Sequence, residues 1–91
     1  IIHYDNSAGL RDQAAAFCDQ NSELIPYSDN TSNQRSDSYP YFLNGYKALF
    51  FHQSDYESTY HTSGDRVSVC NFEYAGEVVR VSCSLLISKN L

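Results

Sequence analysis

The chain has 91 residues, 42% of them hydrophobic and 19% charged, which suits a single folded domain over 1–91 and leaves no room for a second core. Its net charge of −5 argues against nonspecific affinity for nucleic acid, and no run of about 18 apolar residues is present to span a membrane. Eight tyrosines and five phenylalanines, without Trp or Met, supply the bulk for a β-leaning domain.

Ile1–Tyr4 reads as a first strand, and Ser7 or Asn6 caps the helix that follows. Leu10, Ala14, Phe17 and Cys18 fall at i, i+4, i+7 and i+8, one helical face, with Asn21 as its end. Ser28–Ser38 holds no large apolar residue and reads as a loop. Tyr39–Leu43 and Lys47–Gln53 read as aromatic-rich strands around the turn pair Asn44-Gly45. Thr59–Gly64 is a connection. Val67 and Val69, then Val79, Val81 and Cys83, alternate with polar residues, which predicts half-buried strands joined by a turn at Tyr74-Ala75-Gly76. The order is strand, helix, then four strands, so the expected fold is α+β, one helix packed on an antiparallel sheet.

Three cysteines, Cys18, Cys70 and Cys83, allow one disulfide and one leftover thiol. Asn30-Thr31-Ser32 is the one N-x-[ST] triplet, so Asn30 is a glycosylation candidate in a polar loop. A start at Ile1 rather than Met, taken with the cysteines and this triplet, reads as a secreted protein whose signal peptide has been removed. His52 and His61 have no Cys or carboxylate at a familiar ligand spacing, so neither a metal nor a cofactor is expected.

Several strings resemble, in the same order, the fungal guanyl-specific ribonucleases and their ribotoxin relatives. Ser38-Tyr39-Pro40 with Asn44, Gly45 and Tyr46 is similar to that family's S-Y-P-H-x-Y-N-N-Y-E stretch. Asp65-Arg66-Val67 resembles its D-R-V strand, Glu73-Tyr74-Ala75-Gly76 its E-Y-A-G turn, and Ala14-Ala15-Ala16-Phe17-Cys18 its alanine-rich helix. The resemblance implies a microbial ribonuclease-like fold and a Cys18–Cys70 bridge between helix and sheet, with Cys18–Cys83 the competing pairing.

The same resemblance implies where catalytic groups should stand. The family's first histidine, glutamate, arginine and last histidine fall on Tyr41, Glu57, Arg66 and Arg80. RNA cleavage of this kind needs an acid and a base that exchange protons near neutral pH, which tyrosine and arginine do not supply. The guanine-reading glutamate falls on Lys47, which only donates where a carboxylate accepts, leaving Tyr39 and Tyr46 as vestigial substrate positions. His3, His52 and His61 lie at none of the catalytic positions.

The expectation is therefore a pseudo-ribonuclease and not an enzyme, similar to the RNase-like proteins associated with haustoria of plant-pathogenic fungi. That resemblance implies a secreted effector, a virulence or avirulence protein translocated into the host cell. Its partner would be a host protein such as a plant immune receptor. Two alternatives stay open. One is an active ribonuclease with a site rebuilt from Glu57, Arg66 and His52 or His61; the other is a non-cleaving RNA-binding protein using Arg66, Arg80 and Lys47.

Overall fold

The computed structural model describes residues 1–30, 34–53 and 58–90. Extended backbone at the start of the chain is sandwiched between two later segments. β1 (Ile2–His3) pairs antiparallel with β2 (Leu49–Phe50), Ile2 opposite Phe50 and His3 opposite Leu49. On its other edge Ile2 bridges Asp29 in the parallel sense. There the His3 N–H donates to the Asp29 carbonyl at 2.9 Å, and the Asp29 N–H donates to the Ile1 carbonyl at 3.0 Å.

Tyr4 ends this extended run in a turn that Ser7 closes. The Tyr4 N–H donates to Ser7 Oγ at 2.8 Å, and that hydroxyl donates onward to the Tyr4 carbonyl at 3.1 Å. Ser7 precedes α1 (Ala8–Asn21) at the N-cap position, but with its hydroxyl engaged by Tyr4 it makes no side-chain cap. The helix closes at Ser22, whose N–H and hydroxyl both donate to the Cys18 carbonyl, at 3.1 and 2.8 Å.

α2 (Ser38–Leu43) carries Pro40 in its first turn, where a missing N–H costs no helical bond. Its end is set by Gly45 in the left-handed region at φ 84°. The Gly45 N–H donates to the Phe42 carbonyl and the Tyr46 N–H to the Tyr41 carbonyl, each at 3.0 Å, the paired closure of a Schellman motif. Tyr39 and Phe42, three residues apart on one face, meet Tyr4. The Tyr4 and Phe42 rings stack at 4.8 Å and 13°, and Tyr39 tilts against Tyr4 at 6.2 Å.

α3 (Phe72–Asn90) packs on α1. Val81 on α3 and Ala14 and Cys18 on α1 are buried, and Val78 and Leu85 flank Val81 at helical spacing. A polar fringe joins α3 to the end of α1 and the residues after it: Asn21 Nδ2 donates to Ser84 Oγ at 3.0 Å, and the Glu23 N–H to Glu77 Oε2 at 3.1 Å.

The expected α+β fold, one helix on an antiparallel sheet, is overturned: the described residues form three α-helices and one sheet of two short strands. The predicted strand Tyr39–Leu43 lies in α2, and of Lys47–Gln53 only Leu49–Phe50 is strand. Val67–Val69 is a 3₁₀ turn, and both Tyr74-Ala75-Gly76 and Val79–Cys83 lie inside α3. The physical reason is the length of the pattern. Five alternating residues at 79–83 fit a strand, but Tyr74, Val78, Val81 and Leu85 carry a 3.6-residue period through them over a longer span. No helix among the described residues is long and apolar enough to cross a membrane.

Two glycine substitutions separate backbone strain from helix propensity. A Cβ at Gly45 or at Gly9 meets no atom within 4 Å, so neither change is blocked by crowding. Gly45→Ala is expected to destabilise by about 1 kcal/mol through its positive φ, and Gly9→Ala, inside α1, to stabilise by about 0.5 kcal/mol. Urea denaturation midpoints moving in the same direction for both would contradict the α2 closure described here.

Candidate functional site

The segment 24–29 runs from the end of α1 back to β1 and leaves an open groove of about 780 Å³ between itself, residues 51–53 and α3. Cys18 and Val81 form its floor, while Ile25 stands 93% exposed at its edge. Asp29, Gln34, Arg35, His52 and Gln53 bring polar groups to a lining that is mostly apolar. The His52 ring meets Phe50 edge-on at 5.3 Å. Burial, with Asp19 adding to it, pushes the Cys18 thiol up, so the floor of the groove stays uncharged.

Two histidines stand out by geometry. His3 is buried, and its Nε2 lies 3.2 Å from Arg11 Nη1. A guanidinium only donates, so Nε2 accepts and Nδ1 carries the hydrogen, and that buried Nδ1 has no hydrogen-bond partner. Arg11 is itself fixed by Asp12 at 2.7 Å. His61 is the one non-glycine residue with positive φ among the described residues, at 59°. It sits in a turn closed by the Thr62 hydroxyl and N–H donating to the Thr59 carbonyl at 2.6 and 3.0 Å. The exposed His61 ring stacks on Tyr60 at 3.8 Å, which occupies a ring face and leaves the nitrogen-bearing edge open.

The residues singled out from sequence are dispersed. Tyr41 and Tyr46 meet edge-on at 6.4 Å beside a shallow hollow with Pro40 and Asn44. Tyr39 turns inward to the Tyr4 and Phe42 rings, and Lys47 is exposed just before β2. Arg66 donates from Nε to the Ser63 carbonyl at 3.2 Å, and Arg80 pairs with Glu77 at 2.7 Å on α3. Glu57 lies outside the described residues, as do Thr31 and Ser32 of the glycosylation triplet, whose Asn30 is exposed. Cys18, Cys70 and Cys83 are all free thiols, the first buried and the others exposed, so neither Cys18–Cys70 nor Cys18–Cys83 is formed. Sequence reasoning gave His3 no role and named His61 only as an alternative to His52 in a rebuilt ribonuclease site. The local signal for His61 was its place in Thr59–Gly64, a turn-forming run that contains no other imidazole.

The sequence model of Peptidase family M28 matches residues 3–86. The chain belongs to that peptidase family. Searches of curated proteins and of solved structures gave no match. The M28 match overturns the resemblance to guanyl-specific ribonucleases, and with it the fungal effector reading, the pseudo-ribonuclease and the claim that the chain is not an enzyme. Ser38-Tyr39-Pro40 sits in α2, Asp65-Arg66-Val67 runs into a 3₁₀ turn and Glu73-Tyr74-Ala75-Gly76 lies at the start of α3, so none of these is a strand of a ribonuclease sheet. A metal-dependent peptidase site gathers His and carboxylate ligands around one ion. Among the described residues no three His, Cys, Asp or Glu side chains are so gathered, and the donor set as placed does not fit a metal.

The thiols report directly on this arrangement. Under a native alkylating pulse Cys70 and Cys83 are expected to react and Cys18 to react only on unfolding, because it is buried and its thiolate is disfavoured. Mass spectrometry showing Cys18 modified as fast as the other two would contradict the packing of α1 on α3.

Proposed function

We propose that this chain serves the hydrolysis of peptide bonds, with the groove beside α3 receiving apolar side chains of the peptide and His61, which is not among the residues lining that groove, as the proton-transferring group. The observation that carries the reading is the M28 family match over residues 3–86. The groove supports it: its volume lies in the range of small-ligand sites, and its lining is apolar with a few polar groups at the margin.

Peptide hydrolysis requires a group that takes a proton from the attacking water and returns one to the leaving amine. An imidazole is suited to both near neutral pH. His61 is favoured by its backbone, since a left-handed conformation in a non-glycine residue costs about 1–2 kcal/mol and such strain collects at functional sites.

That strain gives a test with two readouts. His61→Gly is expected to raise stability by about 1 kcal/mol while lowering peptidase activity by on the order of 100-fold or more. His61→Asn, which tolerates the same φ, should lose activity without the stability gain. Unblocked and blocked chromogenic peptides, followed beside thermal melts, provide both measurements. Wild-type protein inactive on every such substrate, or variants as active as wild type, would overturn the reading.

A further inference from the structure

β1 lies in a lane with extended chain on either side. On one side Ile2 stands opposite Phe50, in antiparallel pairing with β2. On the other, the segment that ends at Asp29 runs parallel to β1. There the His3 N–H donates to the Asp29 carbonyl, the Asp29 N–H to the Ile1 carbonyl, and the Ile1 nitrogen to the Tyr27 carbonyl. These bonds form the evenly spaced ladder of a parallel pair, in which every second residue faces the partner.

Past Ile1 the same lane runs on as the groove, with Ile25, Pro26 and Tyr27 along one wall and Phe51, His52 and Gln53 along the other. It is one strand wide at its inner end, since β1 fills it there between Asp29 and Phe50. The next group due to pair in the ladder is the Tyr27 N–H, and among the described residues it donates to no acceptor. By alternation Ile25 faces the lane as Tyr27 does. Pro26 between them faces out of it, so its missing N–H takes nothing from this edge.

We propose that the groove binds an extended peptide as a strand in line with β1, its carboxyl end toward Ile1 and its penultimate residue paired with Tyr27 and Ile25. The direction follows from what Tyr27 has left to offer. An antiparallel neighbour exchanges both bonds with one residue, but the Tyr27 carbonyl is already engaged by Ile1, whereas a parallel neighbour at this place needs the N–H alone. In that direction the penultimate carbonyl accepts from the Tyr27 N–H, and the penultimate N–H donates to the Ile25 carbonyl. The mostly apolar lining suits a peptide of β-branched residues, whose backbone already favours the extended form. The inference rests on the reading that the groove receives peptide, and it adds the mode: affinity from main-chain pairing along an open edge.

The test is amide hydrogen exchange, followed by NMR, with an N-acetylated, C-amidated hexapeptide of alternating valine and threonine. At about 90% saturation the Tyr27 amide should exchange about 10-fold more slowly than in the free chain, because only the unbound fraction leaves it open. Methylating the penultimate peptide nitrogen removes its bond to Ile25 and should weaken binding by about 10-fold or more. Cleavage of the peptide is read separately by mass. Protection of Tyr27 without cleavage would leave the strand site standing and count against the peptidase reading, and cleavage without protection would do the reverse. An unchanged Tyr27 exchange rate at about 1 mM peptide would overturn the proposal, as would binding that the methyl group does not weaken.

Discussion

The fold depends on the burial of Tyr4. Its ring has no exposed surface and lies against Phe42 and Tyr39, so the start of the chain is fastened to α2 across nearly forty residues of sequence. Its hydroxyl reaches Ser38 Oγ at 2.8 Å and Ser36 Oγ at 3.2 Å, which gives the polar end of the ring a partner at the α2 N-terminus. Its backbone is closed by Ser7 on the other side. A fully buried aromatic side chain contributes about 2–3 kcal/mol, and ring stacking adds about 1 kcal/mol. One side chain thus joins β1, the start of α1 and α2.

Around that junction the core is thin. Tyr4, Ala14, Cys18 and Val81 are the buried hydrophobic residues described, while Phe72, Val79, Leu86 and Ile87 stand in solvent on α3. The helix pair α1 and α3 therefore has one satisfied face and one apolar face exposed among the described residues. The groove proposed for substrate opens on the satisfied side, where Cys18 and Val81 form the floor.

Much of the local structure was legible. The face Leu10, Ala14, Phe17 and Cys18 and the end at Asn21 describe α1 as it stands, because fourteen residues carry several turns of a consistent period. Asn44-Gly45 was legible as punctuation but not for the element it closes, since the same positive φ that makes a hairpin also ends a helix. The C-terminal half was misread where short alternation at Val79, Val81 and Cys83 coincided with strings similar to a ribonuclease sheet. Each string is only a few residues long, too short to distinguish a strand from a turn of helix. His61 entered only as one member of a rebuilt ribonuclease site, and its positive φ was not legible, because backbone strain leaves no trace in composition or spacing.

The most direct test of the account is backbone and aromatic NMR assignment of the chain. Helical Cα shifts running without a break from Phe72 to Asn90, together with ring contacts between Tyr4 and Phe42, are the predicted result. Extended shifts across Val79–Cys83 with a turn at Tyr74-Ala75-Gly76 would contradict it, restoring a sheet where α3 is described.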